Sequence, residues 1–218
     1  RVEDGYRVVA ASGLPSKWRY RHAVAIGQGV ALTLRDISEL KAHQEELVEL
    51  AHRDNLTGLP NRLWFHRFMP AALQRAIRSH KPLALMFIDL DDFKTVNDTL
   101  GHDVGDRVLC EVARQLRNAL RGSDQLVRLG GDEFLVIIEN IDNDADIDGL
   151  GRKLIEAVER EFRPNDNALG KISASIGISL FPNDGESAED LLKHADIAMY
   201  QAKARGRGQT CRYQPEFS

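Results

Sequence analysis

Two groups of carboxylates in this sequence lie next to segments that predict β-strands. The first, Asp132-Glu133, directly follows Gly130-Gly131 between two apolar segments, and the second begins with Asp89 after a continuous apolar run. Paired glycines between apolar runs predict a β-hairpin, because glycine readily takes the positive φ values of a two-residue turn. Glycine also lets a phosphate or ribose approach the backbone closely. Adjacent carboxylates repel each other unless a cation neutralises them, so the hairpin tip predicts a site for a metal ion and nucleotide phosphates.

An acidic, solvated hairpin turn would explain the tip alone equally well, because short motifs also occur by chance. The second group of acids changes this balance. Asp89 and Asp91 are two residues apart, so both point to one side if the strand extends that far. If this strand lies beside the hairpin, Asp89 comes close to Asp132 and Glu133. Three carboxylates near glycines suit Mg²⁺, which takes oxygen ligands and shares them with substrate phosphates.

Strands and helices that alternate along the chain must position these acids. Apolar residues at three- and four-residue steps predict helices, and continuous apolar runs predict strands. The predicted elements are a helix over 60–79, a strand over 82–90, a helix over 103–121, a hairpin over 125–139, a helix over 145–161, a strand over 171–179 and a helix over 188–205. After the first helix this order is β-α-β-β-α-β, which predicts an α+β fold, an α/β-type sandwich of the ferredoxin-like kind.

The first 53 residues have a different pattern. Strands are predicted over 6–11, 19–26 and 30–34, separated by glycine-containing turns. Residues 37–53 carry two heptads, which predict either a parallel coiled-coil stalk or an amphipathic helix that packs on its own domain. The a and d positions of these heptads are Ile37, Leu40, Gln44, Leu47 and Ala51.

Composition limits the class of protein. A hydrophobic content of 43% and a charged content of 28% are typical of a soluble globular protein. The net charge of −4 argues against nucleic-acid binding through a basic surface. No run approaches the roughly 20 apolar residues of a membrane span, so no membrane contact is expected from this segment. Cys110 lies in a helical apolar pattern and is predicted to be a reduced core thiol, and His102 is predicted to be structural.

Short motifs accompany the two groups of acids. They are Asp54-x-Leu56-Thr57-Gly58-Leu59-Pro60-Asn61-Arg62, Asp89-x-Asp91-x-Phe93-Lys94-x-x-Asn97-Asp98, Gly101-His102-x-x-Gly105-Asp106, Gly130-Gly131-Asp132-Glu133-Phe134, Ser175-Ile176-Gly177 and Ala195-Asp196-x-Ala198-Met199-Tyr200-x-Ala202-Lys203-x-x-Gly206-Arg207. In type and order they resemble the GGDEF domain, the catalytic domain of bacterial diguanylate cyclases, over residues 54–213. The resemblance implies that two GTP molecules condense to cyclic di-GMP and two pyrophosphates, on the palm-like sheet shared with adenylate cyclases and polymerases.

The resemblance also implies a metal site and a catalytic group. Asp89, the backbone carbonyl of Leu90 and Glu133 would bind Mg²⁺, with Mn²⁺ as the alternative ion. Asp132 would be either a further metal ligand or the group that helps to deprotonate the attacking 3′-hydroxyl. On an ideal strand, adjacent residues face opposite sides, so the turn geometry must decide between these two roles.

Substrate contacts are implied in the same way. Lys94, Lys203 and Arg207 would bind the triphosphate beside the hairpin glycines, and Asn97 and Asp106 would recognise guanine. Without the resemblance, Lys203 and Arg207 would be solvated charges near the end of a helix. Asn97 would likewise be a turn residue, and Asp106 an acid in the first turn of a helix.

Arg121 and Asp124 match the RxxD motif at which this family binds its product as an inhibitor. Arg121 can pair with phosphate or guanine, and Asp124 can accept from a guanine edge. The alternative is an arginine that complements a helix C-terminus before a glycine. Arg152 is a further candidate for this site.

The strand, heptad and motif patterns together predict how the chain is divided into domains. Residues 1–36 resemble the C-terminal fragment of a PAS-like sensory domain, although an ordinary β-hairpin is the alternative. Residues 37–53 would be the signalling helix of a homodimer that forms through the stalk and the catalytic domains, 54–213 the cyclase, and 214–218 a tail or linker. The expected location is the bacterial cytoplasm, on a parent protein that could be membrane-anchored. The alternative function is a non-catalytic module that binds GTP or cyclic di-GMP and regulates a neighbour.

Overall fold

The computed structural model describes residues 18–26, 29–36, 38–39, 43, 50–159, 162–165, 168–170 and 172–217. The chain divides into two compact units, one ending at Ala51 and the other beginning at His52. In the first unit, β1 (Trp18–Ile26) pairs antiparallel with β2 (Gly29–Asp36), which confirms two of the three predicted strands. The predicted strand over 6–11 and the Gln44 position of the heptads lie outside the described residues. Those described between 38 and 51 are helical.

The second unit contains a five-stranded sheet and its helices. Its elements are α1 (Arg62–Ser79), β3 (Leu83–Asp91), α2 (Phe93–Leu100), α3 (His102–Ala119), β4 (Gln125–Gly130), β5 (Glu133–Ile138), α4 (Asp144–Val158), β6 (Phe162–Asn165), β7 (Ala168–Gly170), β8 (Ser173–Phe181), α5 (Ala188–Ala204), β9 (Thr210–Arg212) and a short 3₁₀ helix (Pro215–Phe217). The strand order is β4-β5-β3-β8-β9. Neighbours are antiparallel except β8 and β9, which are parallel. The predicted α+β fold with its β-α-β-β-α-β connectivity is confirmed.

Side-chain caps define where the two helices that flank the carboxylates begin. Asn61 precedes α1, and its side-chain oxygen accepts from the backbone N–H of Trp64 at 3.1 Å. Ser187 precedes α5 in the same way and accepts from the N–H of Asp190 at 3.1 Å. Such caps satisfy N–H groups that have no partner within the helix and stabilise it by about 1 kcal/mol each. Because Asn61 is a cap, α1 begins at Arg62 and not at the predicted Pro60.

Three features of the second unit differ from the predictions. The helix α2 was not predicted, because it has only eight residues and buries only Phe93, which is too short for a periodic apolar pattern. The edge strand β9 and the small β6–β7 hairpin were not predicted either. The prediction for Cys110 was wrong: its side chain is exposed on α3, with Sγ 3.4 Å from the carbonyl oxygen of Leu56, whereas Cys211 is the buried cysteine.

The sheet has an apolar core on each face. Even-numbered side chains of β3 pack with α3 and α4, and odd-numbered ones pack with α1 and α5, as the two-residue period of a strand requires. Large side chains buried on the first face include Met86, Ile88, Leu116, Phe134 and Leu154, and those on the second include Phe65, Met69, Leu85, Ile137 and Leu191. Each such side chain stabilises the fold by about 1.5–3 kcal/mol. None of the described helices is both long enough and apolar enough to cross a membrane.

The strand β8 is strongly asymmetric. Its side chains toward α3 and α4 are apolar, whereas three successive ones toward α5 are small, namely Ser175, Gly177 and Ser179. The hydroxyl of Ser179 donates directly to the carbonyl oxygen of Leu191 in α5, at 2.8 Å. A Cβ atom at Gly177 would overlap the backbone of α5 at Ala195. The backbone of α5 therefore lies directly on β8, without an intervening layer of side chains.

Candidate active site

The carboxylates meet at one end of the sheet because β3 continues as far as Asp91. Asp89 has the same parity as Phe87, so it lies on the face covered by α1 and α5. Across the strands, Asp89 is the direct partner of Glu133. Directly opposed residues in an antiparallel pair have Cβ atoms about 5 Å apart. The predicted proximity of the two groups of acids is therefore present in the structure.

The hairpin turn differs from the prediction by one residue. Gly130 is the last residue of β4 and pairs with Glu133, after an irregularity in the register between Arg128 and Gly130. The two turn residues are therefore Gly131-Asp132, although both glycines do have positive φ values, 142° and 54°. This shift places Asp132 in the turn itself. The backbone carbonyl of Asp132 accepts from the N–H of Leu90 at 3.3 Å, which ties the tip to β3.

Arg128 anchors the hairpin tip, a role that the sequence reasoning missed. Its side chain is only 8% exposed. Its Nε and Nη2 donate to the carbonyl oxygen of Gly131 at 3.2 and 2.8 Å, and its Nη1 donates to Oδ1 of Asp54 at 2.7 Å. Burial opposes the charge on Asp54, but hydrogen bonds from Thr57 and Arg128 prevail and lower the pKa of Asp54. Of this pair, only Asp54 belongs to one of the motifs described above.

Basic side chains from the flanking helices partly neutralise the two opposed acids. Nζ of Lys203 lies 2.6 Å from Oδ1 of Asp89, and Nη2 of Arg62 lies 3.7 Å from Oε2 of Glu133. The short contact with Lys203 pairs the buried Oδ1 of Asp89 with an ammonium group, and this hydrogen bond favours the ionised form of the carboxylate.

The site makes ionisation of its carboxyl groups costly. Burial raises the pKa of Asp89, and the nearby Asp132 raises it further against the opposing effect of Lys203. Burial likewise raises the pKa of Glu133, with Asp89 and Asp132 adding to the shift and Arg62 opposing it. The pKa of Asp196, on α5, is also raised by burial and lowered in part by Lys203. A bound cation would remove this cost.

The donor set fits a divalent cation that takes part of its coordination from substrate. No group of three or more His, Cys, Asp or Glu side chains is arranged to hold a metal ion within the described part of the chain. What the site offers is two opposed carboxylates, Asp89 and Glu133, whose pKa values remain raised despite the basic side chains beside them. Mg²⁺ is commonly bound by one or two carboxylates together with substrate phosphates. The residues present therefore fit the predicted ion.

The three predicted phosphate contacts follow or face the end of β3. Lys94 is exposed in the first turn of α2, directly after β3, and Lys203 is in the last turn of α5. The helix does not persist to Arg207: it ends at Ala204, and Arg207 lies in the following loop with a φ of 63°. Lys203 therefore lies on the helix and Arg207 in the loop after it, so the two side chains do not share a helix face.

The predicted guanine contacts lie where α2 meets α3. Oδ1 of Asn97 sits against Gly105, so closely that a Cβ atom at this glycine would overlap it. Asp106 is the next residue in α3 and is exposed. Asp106 lines a cavity of about 330 Å³ together with Leu56 and the exposed Cys110. The structure thus brings this amide and this carboxylate into one region and adds Leu56, which the sequence reasoning left without a role.

Arg121 and Asp124 form a compact turn between α3 and β4. Arg121 is exposed, whereas Asp124 is only 4% exposed and its Oδ2 accepts from the backbone N–H of Arg121 at 3.0 Å. Arg117 donates to the carbonyl oxygens of both residues, at 2.9 and 2.8 Å. A cavity of about 450 Å³ beside this turn is lined by Arg121, Asp124 and Lys153, but not by the third candidate, Arg152.

Comparisons with known proteins agree with this geometry. Residues 51–209 match the family described as diguanylate cyclase, GGDEF domain. The bifunctional diguanylate cyclase/cyclic di-GMP phosphodiesterase MucR of Pseudomonas aeruginosa is 42% identical over 181 residues, which are 83% of this chain and 26% of MucR. The chain thus spans about a quarter of the length of that relative.

Two solved structures have the same fold. One is a structure of TpbB (YfiN) from Pseudomonas aeruginosa that comprises only the GGDEF domain, with a TM-score of 0.73 and 39% identity over 76% of this chain and 96% of that chain. The other is the coiled coil and GGDEF domain of DgcB from Caulobacter crescentus in complex with c-di-GMP, with a TM-score of 0.72 and 26% identity over 81% and 93% of the two chains. With the family match over residues 51–209, these findings show that the chain belongs to the GGDEF family of diguanylate cyclase domains.

Proposed function

We propose that this chain is a diguanylate cyclase, which condenses two GTP molecules into cyclic di-GMP and two pyrophosphates. The observation that carries the proposal is the opposed pair Asp89 and Glu133, whose pKa values are both raised although Lys203 and Arg62 lie beside them. The family match and the name of MucR support the same activity. This arrangement fits nucleotidyl transfer, which requires neutralisation of charge on phosphate oxygens.

Asp89, Glu133 and the carbonyl of Leu90 would hold Mg²⁺, or Mn²⁺ as the alternative. When bound, the ion supplies charge neutralisation at the α-phosphate and lowers the pKa of the attacking 3′-hydroxyl. Lys94, Lys203 and Arg207 bind and orient the triphosphate. Asp132, in the hairpin turn, either completes the metal site or accepts the proton of the 3′-hydroxyl.

The reaction requires two copies of the chain. Each site holds one GTP, and each 3′-hydroxyl attacks the α-phosphate of the other GTP, so the two sites must face each other. We propose that residues 37–53 form the stalk of this dimer and that the segment 1–36 belongs to a sensory domain. The DgcB structure, which comprises a coiled coil and a GGDEF domain, supports the stalk. A signal would act by changing how often the two sites meet.

Product inhibition is proposed at the cavity beside Arg121 and Asp124. Arg121 is exposed and free to pair with a phosphate, while Asp124 is buried and shapes the turn through the N–H of Arg121. The DgcB structure in complex with c-di-GMP supports binding of the product by this family. In this arrangement Arg121 supplies the contact, and Asp124 reaches a guanine only if its side chain turns outward.

The test of the proposed function is incubation of the purified chain with GTP and Mg²⁺ and identification of the products by mass. We expect cyclic di-GMP, formed at a rate that rises faster than linearly with protein concentration because two chains must meet. Tight binding of GTP without any product, even after dimerisation is enforced by a crosslink in the stalk, would contradict the proposal. That result would favour a non-catalytic binding module.

Guanine selection should depend on the contact region at α2 and α3. Replacing Asn97 or Asp106 by Ala removes one hydrogen-bonding group and should lower the preference for GTP over ATP by about tenfold each, since an unmatched polar group costs about 1–3 kcal/mol. The measurement is the ratio of Kd values for GTP and ATP in Mg²⁺. Asn118→Ala, an exposed change in α3, is the control. Equal weakening of GTP and ATP by Asp106→Ala would contradict this assignment.

Stabilisation by Mg²⁺ should have a defined pH dependence. Asp89 and Glu133 must be ionised to bind the ion, and their pKa values lie above the usual 3.8 and 4.5. The rise in Tm caused by excess Mg²⁺ should be present at pH 7.5 and fade as the pH falls through the raised values. In EDTA the sign reverses: the neutral forms are favoured in the folded state, so these groups contribute stability at low pH that is lost as pH rises through their folded pKa values. A Mg²⁺ effect of constant size over the whole pH range in which the protein stays folded, down to the usual carboxyl range, would contradict ligation by these two carboxylates.

A further inference from the structure

Asp91 shares a motif with Asp89 but has different surroundings. Its side chain is only 5% exposed. Oδ1 accepts from the hydroxyl of Ser175 at 2.8 Å, and Oδ2 accepts from the backbone N–H of Gly208 at 3.1 Å. A buried carboxylate is costly unless it is hydrogen-bonded, and here both oxygens have donors. The oxygens of Asp91 are therefore bonded to Ser175 and Gly208, whereas Asp89 pairs with Lys203 and lies opposite Glu133.

The partner of Asp91 belongs to an unusual loop. Residues 206, 207 and 208 have φ values of 121°, 63° and 57°, and the middle one, Arg207, is not a glycine. A non-glycine residue in this region costs about 1–2 kcal/mol and persists only where its surroundings hold it. On the helix side, the N–H groups of Gly206 and Arg207 donate to the last carbonyls of α5, both at 3.2 Å. On the sheet side, Asp91 holds the N–H of Gly208.

This loop carries the guanidinium of Arg207 to the edge of the carboxylate site. Nε of Arg207 lies 4.0 Å from Oδ1 of Asp91, and Nη2 lies 3.8 Å from Oδ1 of Asp92. The side chain is 55% exposed, so these two ion pairs are weak and leave the guanidinium accessible to a phosphate. The backbone hydrogen bond to Gly208 is consequently the stronger link between Asp91 and Arg207.

We propose that Asp91 is a positioning residue for triphosphate binding, which holds the loop 206–208 so that Arg207 faces the phosphates. This role rests on the GTP site of the proposed function. The two acids of the Asp-x-Asp pair then have different roles. Asp89 faces the cation and the substrate, and Asp91 acts only through Arg207.

The test is a double-mutant cycle on the Kd of a non-hydrolysable GTP analogue in Mg²⁺. Asp91→Ala alone should weaken binding by about tenfold, but by less than about twofold when Arg207 is already Ala, because residues that act through one contact are not additive. Asp91→Asn should stay within about threefold of the natural chain. Its amide oxygen can still accept from Gly208, and its NH₂ can donate to the Ser175 hydroxyl.

Two serines of β8 provide a matched control. Ser175→Ala removes a donor to Asp91, whereas Ser179→Ala removes an equally buried hydroxyl that donates to Leu191 instead. Ser175→Ala should measurably weaken binding of the analogue, whereas Ser179→Ala should leave its Kd unchanged. Both substitutions should lower Tm. If Asp91→Ala does not fold at the assay temperature, Ser175→Ala takes its place in the cycle.

Three outcomes would overturn the inference. In the first, Asp91→Ala raises the Kd of the analogue by the same factor in the natural chain and in Arg207→Ala, which indicates general destabilisation. The second is an unchanged Kd in Asp91→Ala. The third is failure of the natural chain to bind the analogue, which would overturn the proposed GTP site itself and is separately visible because it needs no variant.

Discussion

Replacing Asp89 by Asn should reduce cyclic di-GMP formation by at least about 10³-fold and at the same time raise the Tm of the metal-free protein. Activity falls because the variant loses one of the two carboxylates that would bind the metal ion. The remaining ligands from the protein would be Glu133 and a backbone carbonyl, and metal-assisted phosphoryl transfer depends on the lost charge. Stability rises because burial raises the pKa of Asp89, so the folded state favours its neutral form. At neutral pH the ionised carboxylate is a cost that a neutral amide of the same shape avoids.

The measurement is the initial rate of product formation, determined by mass, at equal concentrations of folded protein. Glu189→Gln is the control, because it also removes one carboxylate charge but at an exposed position in the first turn of α5. We expect that control to keep its rate. A rate in Asp89→Asn within about tenfold of the natural chain would refute the metal site, and a lower Tm in Asp89→Asn would contradict the electrostatic account of the apo site.

Gly177→Ala should lower the free energy of unfolding by about 3 kcal/mol or more and disable the active site. The added Cβ atom overlaps backbone atoms of α5 at Ala195 and Met199, which cannot move without shifting the helix. Overpacking of this kind costs about 1–3 kcal/mol where side chains can yield, and here the obstacle is main chain. A shifted α5 also moves Lys203 away from Asp89.

Gly149→Ala is the matched change, since no atom lies within 4 Å of a Cβ built at that glycine in α4. It should be neutral or stabilise the protein by about 0.5–1 kcal/mol, because Ala is a better helix former than Gly. Urea unfolding followed by circular dichroism gives both values. Similar effects of the two substitutions would show that α5 does not lie as close to β8 as described.

Much of the fold could be predicted because its determinants are local. The apolar run before Asp89, the glycine-rich hairpin and the periodic helices each carry their own pattern, and their order along the chain fixes β-α-β-β-α-β connectivity. The opposition of Asp89 and Glu133 then follows from strand pairing. The helix α2 escaped prediction because eight residues with one buried side chain give no periodic signal.

What could not be predicted depends on contacts between distant segments. Nothing local to Arg128 indicates that its guanidinium joins Asp54 to the hairpin tip. The different roles of Asp89 and Asp91 are equally invisible in sequence, because both lie on one face of one strand and differ only in what approaches them. Cys110 was misplaced because a neighbouring position in a helical apolar pattern can lie just outside the buried stripe.

The small side chains on one face of β8 have a consequence for how mutations spread through the molecule. Where side chains separate a helix from a sheet, a change of volume is absorbed by repacking and displaces the helix gradually. At Gly177 no side chain separates β8 from α5, so main-chain contact sets the position of Lys203 relative to the sheet. Substitutions in the apolar core on the opposite face of the sheet, beneath α3 and α4, should therefore accumulate with little effect on the position of Lys203.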